Sequence, residues 1–169
     1  MGYYIHTEDC TLKIPAANLA AAWDRFVELD KRKDLQHHRE WVELLDGTTL
    51  EDVRAFSFLP PNFTESIDSV ASVLEALGFD VQQDADDADL YIHAYNGKAG
   101  QEDLFLFSLA GLMDGHIDWM GEDGSSSRYT FGLDRDPISE DGQRVWTNAR
   151  TMPNPLTIPV GERSPYTYY

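Results

Sequence analysis

The 169-residue chain predicts an α+β fold, with a mostly antiparallel or mixed sheet, about three helices packed on one face and an extended C-terminal tail. Three observations carry that expectation. Two segments have apolar residues at helical spacing and a third is apolar nearly all round. Between them lie short alternating runs of β-branched and aromatic residues. The connections mix hairpin-length gaps with longer crossovers, and five of the eight prolines gather at 137, 153, 155, 159 and 165.

Taken in order, residues 3–14 (YYIHTEDCTLKI) read as a strand pair or one bent strand. Pro15 suits the first turn of a helix. Leu19, Trp23, Phe26 and Val27 then form an apolar face, and Lys31, Arg32 and Lys33 suit the negative end of its dipole. Residues 34–52 fit two readings. HREWVELL could be a short helix ending at Gly47, with a capping-box spacing from Thr48 to Glu51, or the whole stretch could be a mobile insertion. Residues 53–59 alternate as a strand stopped by Pro60 and Pro61. Thr64 is placed to cap a second helix with the stripe Ile67, Val70, Ala71, Leu74 and Leu77, ended by Gly78. FDVQQ is a short strand, DADDAD an acidic turn and LYIHAY (90–95) a strand with Tyr91, His93 and Tyr95 on one side. Residues 101–113 make the third helix, with Glu102 and Asp103 as partners of its dipole. Residues 116–134 (HIDWMGEDGSSSRYTFGLD) form a hairpin with an acidic tip. The expected organisation is a single domain over 1–133 and a Pro-rich extended tail over 134–169, with one strand at RVWTNA and an aromatic YTYY end docked on the domain or on a second subunit.

Charge is the clearest compositional signal. Thirty acids against 13 Lys and Arg give a formal −17. Residues 79–142 hold 15 acids and 3 bases, a net −12, whereas 143–169 hold 3 bases and 1 acid. Such a surface is repelled by phosphate backbones and anionic membranes, so neither nucleic acid nor membrane is an expected partner. A protein with a basic surface is. Asp84, Asp86, Asp87, Glu122 and Asp123 are the expected binding residues. Cys10 is the sole cysteine, which excludes an intrachain disulfide and a cysteine-rich zinc site. The opening MGYYIHTEDC lacks the basic and apolar regions of a secretion signal, and no apolar run approaches a membrane span, so a cytoplasmic location is expected.

Catalytic motifs are absent. NGKAG fails as a phosphate loop because Ala99 follows Lys98, and no Gly-x-Ser-x-Gly occurs. The hairpin tip matches no calcium loop, so no metal or cofactor is expected there. His37 and His38 diverge on either a helix or a strand and read as surface residues. One alternative stays open: His93, His116 and Asp118 could converge beside Tyr91 and Tyr95 if strands 90–95 and 115–120 pair, giving an acid/base, ligand-binding or metal site.

The segments MGYYI, IPAANL, FSFLPPNF, GQEDLFL and WMGEDG resemble those of a group of small uncharacterised proteins from tailed bacteriophages, mostly of actinobacterial hosts. The resemblance spans residues 1–133 with a gap over 34–52, and 134–169 depart from it. It transfers no activity and no residue role. It implies a phage accessory protein acting in the host bacterial cytoplasm. The expected function is non-enzymatic: binding a host or defence protein, in the manner of an imitation of nucleic-acid charge. A small enzyme or ligand-binding domain is the alternative. A structural or assembly protein, with homo-oligomerisation through the tail, is the third reading.

Overall fold

The computed structural model describes residues 2–39, 42–43, 49–50, 53–142 and 146–161. Its α+β architecture is an eight-stranded, antiparallel sheet with three α-helices against one face. In chain order the elements are β1 (Tyr4–Cys10), β2 (Lys13–Ile14), α1 (Leu19–Lys31), β3 (His37–Arg39), β4 (Val42–Glu43), β5 (Thr49–Leu50), β6 (Val53–Ala55), α2 (Val70–Leu77), β7 (Phe79–Gln83), β8 (Leu90–Lys98), α3 (Glu102–Ser108), β9 (Gly115–Gly121), β10 (Ser126–Gly132), β11 (Arg135–Gly142) and β12 (Trp146–Thr151).

The strands run β12-β11-β10-β9-β1-β8, with β2 and β7 also on β8. Tyr4 faces Lys98 and Lys13 faces Tyr91, while the amide of Ile92 donates to the carbonyl of Leu12. β1 and β2 are therefore one bent strand along one edge of β8, and β7 takes the other edge. Because β8 and β9 each run antiparallel to β1, they are parallel to one another.

Ile14, Ile92, Ile117, Trp119 and Phe131 of the sheet meet Phe26, Leu74, Leu77, Phe105 and Phe107 of the helices in one core. α3 lies in the middle of it and every one of its seven residues is buried. Phe105 is ringed by Phe26, Phe56 and Phe63 at centroid distances of 5.4, 5.0 and 5.7 Å. Glu102 and Asp103, expected as dipole partners at the helix start, are buried too, because this corner is covered by the segments at 35–37 and 57.

Several local expectations are corrected. A single 3-10 turn (16–18) follows Pro15, and the buried stripe of α1 is Ala22, Phe26, Leu29 and Asp30, rotated from the expected face. The helical reading of 34–52 gives way to strand at 37–39, paired with 53–55, and to a β4–β5 pair. Gly47 and the Thr48–Glu51 spacing lie outside the described residues. The strand expected over 53–59 stops at Ala55 and turns. Ser69, not Thr64, caps α2 by accepting from the amide of Ser72, and the Thr64 hydroxyl instead donates to Asp30. Gly78 ends α2 at φ 109°, as its sequence position predicts. The third helix is shorter than expected, 102–108.

The largest difference is C-terminal. Residues 135–142, expected as extended tail, form a strand of the sheet, and the strand expected at RVWTNA is its outermost strand, 146–151. Pro137 is accommodated because only its carbonyl is needed, as acceptor from the amide of Met152. Beyond β12 the chain docks on the helices: Met152 and Pro155 are buried, Arg32 donates to the carbonyl of Pro155, and Asn154 to that of Ser108. YTYY lies outside the described residues.

Candidate functional site

The sheet face away from the three helices carries the histidine alternative. Register alone places Asp9 beside Asp118 and Asp118 beside Arg128 on three neighbouring strands. Arg128 grips Asp118 with two bonds, 2.6 Å from Nε and 2.5 Å from a terminal nitrogen, which raises the guanidinium pKa further. His116 lies 3.0 Å from Asp9 through Nε2 and 3.0 Å from the Thr11 hydroxyl through Nδ1. Asp9, His116 and Asp118 each offer a ligand atom, all within 4.8 Å of one another. Both imidazole nitrogens and both oxygens of Asp118 are nevertheless already engaged, and a cation would compete with Arg128 for that carboxylate. His93 does not join them. It stacks on Tyr91 at 6.4 Å, on the far side of β1. Tyr95, expected beside it, is turned into the core by a bulge opposite Asp80 and Val81, against Phe79 and Trp119.

The five expected acidic residues divide into two groups. Asp84, Asp86 and Asp87 lie in the turn before β8, where one oxygen of Asp84 accepts from the amides of Asp86 and Asp87, and Asp87 accepts from that of Asp89. These are turn-forming bonds. Glu122 and Asp123 lie in the turn after β9. With β8 and β9 parallel, the two turns sit at opposite ends of the sheet, about 25 Å apart at 3.3 Å per residue along β8. They do not form one patch.

The β9–β10 turn is held rigidly. The Tyr3 hydroxyl donates to Asp123 at 2.5 Å and lies 2.8 Å from the Ser125 hydroxyl, while the amide of Ser125 donates to the same Asp123 oxygen. Tyr3 and Ser125 hold the Asp123 carboxyl down to about 2. Gly121 is required here, because a Cβ would occupy the position of the Tyr3 hydroxyl.

Behind this turn opens a cavity of about 580 Å³. Its walls include Tyr3 from just before β1, Trp119 and Tyr129 from the sheet, and Gly100 and Glu102 from the start of α3, with Ser57 also lining it. Gln101 fixes that corner, donating to the carbonyl of Leu35 at 2.7 Å and accepting from the amide of Ser57 at 3.0 Å. Glu102 is 6% exposed, and one of its oxygens accepts from the amide of Gly100 at 2.6 Å. Burial pushes its carboxyl pKa up. Trp119 is 5% exposed, and its indole N–H is buried without an acceptor. Phe58 stands against Gly100 with φ 66°, an unfavourable backbone region for a bulky residue, and is half exposed. A buried titratable group, an unsatisfied donor and local strain thus meet around one concavity.

Sequence reasoning missed this site, although MGYYI, FSFLPPNF, GQEDLFL and WMGEDG each contribute a wall residue: Tyr3, Ser57, Gly100 with Glu102, and Trp119 with Gly121. No protein-family model, curated protein or solved structure matches the chain. No helix among the described residues is long and apolar enough to cross a membrane.

Proposed function

We propose that the protein is a non-enzymatic acidic binding protein that docks a basic protein surface through the β9–β10 end of its sheet. The observation that carries this is the locked turn. Asp123 is fixed by Tyr3 and Ser125 and stays charged down to about pH 2, beside the partly exposed ring of Tyr3. A rigid aromatic ring next to a fixed carboxylate binds with little ordering cost, and the overall −17 charge steers a basic partner towards them. The turn at 84–89 contributes to steering only, since it lies at the other end. In the phage setting that the sequence resemblance implies, the partner is a host or defence protein in the bacterial cytoplasm whose basic groove otherwise takes nucleic acid.

The test is capture from a host lysate followed by affinity measurement on the isolated partner at about 50 and 500 mM salt, which compress the Debye length from about 14 Å to about 4 Å. The proposal expects affinity to fall steeply with salt and to fall again in the double variant Glu122→Gln, Asp123→Asn. Affinity indifferent to both changes contradicts it.

A further inference from the structure

The cavity behind the locked turn combines features that the docking surface alone does not use. Glu102 is a buried carboxylate met by two backbone amides, that of Gly100 and its own, and by no described cation. A carboxylate in that position is costly unless a cation or further donors meet it. Among the described residues lining the cavity there is no lysine or arginine, and His37 is the one basic side chain. Tyr3, Trp119 and Tyr129 supply aromatic walls, and the volume is within the range of small-ligand sites. Glu102 inside, and Asp123 bonded to the lining residues Tyr3 and Ser125, disfavour an anionic ligand.

We propose that this cavity receives a guanidinium group, the side chain of an arginine on the partner's surface, with Glu102 as its counter-charge and the three rings as its walls. The inference rests on the docking proposal for the identity of the occupant and adds the chemistry of one anchoring residue. Guanidinium suits the site better than ammonium. It is planar, stacks on aromatic faces, presents a fork of donors to a carboxylate and gives up its hydration more easily. Arginine is also among the residues that most often dominate an interface when inserted into a desolvated pocket.

The experiment is calorimetric titration of the full chain with N-acetyl-arginine methylamide, its uncharged isostere N-acetyl-citrulline methylamide and the lysine equivalent. The arginine probe is expected to bind about tenfold or more tightly than citrulline, the difference between a charge-assisted and a neutral hydrogen bond. Glu102→Gln should erase that preference. Because Glu102 also holds the amide of Gly100, a second variant is needed: Ser127→Phe fills the cavity from β10, leaves Glu102 in place and should abolish binding of all three probes with the thermal midpoint retained. Equal binding of arginine and citrulline, no binding of either, tighter binding of lysine, or undiminished binding to a folded Ser127→Phe variant would each overturn the assignment. The two proposals fail separately. Arginine-selective binding alongside partner capture that ignores Glu122 and Asp123 removes the docking surface alone, and the reverse pattern removes the cavity alone.

Discussion

Phe105 is the residue on which the helical layer turns, and replacing it gives a prediction with a calculable size. Its side chain is 0% exposed, and Phe26, Phe56 and Phe63 surround it at 5.0–5.7 Å with interplanar angles of 59–79°. Phe105→Ala removes the buried ring and leaves a cavity between three phenylalanines that cannot all move in, a loss of about 3–5 kcal/mol. Phe105→Leu keeps most of the apolar area but forfeits three edge-on or tilted ring contacts. At roughly 0.5–1.5 kcal/mol each, with overlap among them, that comes to about 2 kcal/mol. Against a total stability of about 5–15 kcal/mol, the alanine variant is still measurable in most of that range. Urea unfolding followed by far-ultraviolet circular dichroism is the assay. With m near 2 kcal/mol/M, the midpoint should fall by about 2 M for alanine and about 1 M for leucine at unchanged m. A loss under about 1.5 kcal/mol for Phe105→Ala, or equal losses for the two variants, would refute the claim that this aromatic cluster is the centre of the core.

Three further outcomes follow from the charges and the thiol. Tyr3→Phe removes the largest cause of the low Asp123 pKa, so its carboxyl titration, followed by NMR, should move from about 2 towards 3.8. Since that folded pKa is depressed, the stability it contributes is present above the unfolded value and lost as pH falls towards 2, and the variant should show a smaller loss across that window. Arg128→Leu leaves Asp118, 8% exposed, without its two guanidinium bonds and should cost about 2–3 kcal/mol in urea, with Asp118→Leu in the same chain restoring part of it. Burial pushes the Cys10 thiol up to about 11, so a thiol reagent at pH 8 should label it slowly in the folded protein and rapidly once urea unfolds the chain.

What could be read from the sequence was what depends on neighbours along the chain. The 116–134 hairpin is visible in its alternation and its Gly-Ser turn, and the end of α2 in Gly78. Tyr95 is not readable, because a bulge at His93 of its own strand, set by the pairing with β7, decides which way it faces. β11 reads as tail because RDPISEDG is rich in strand-averse residues, and only its pairing with β10 and β12 makes it a strand. The candidate site fails to show for the same reason. Gly100–Glu102 and Trp119–Gly121 lie some twenty positions apart, and Tyr3 about a hundred from both; strand order brings them together. Acid density along the chain likewise says nothing about space. Asp87 and Asp123 belong to one acidic stretch and to opposite ends of the sheet.

The most direct test of the central claim is a heteronuclear NMR map of the full chain titrated with a short arginine-bearing peptide. The account predicts that shifts concentrate on the Trp119 indole, Gly100 and the Ser125–Ser127 amides, with the 84–89 turn unmoved. Shifts centred on 84–89, or spread evenly over the acidic surface while the Trp119 indole stays still, would contradict it.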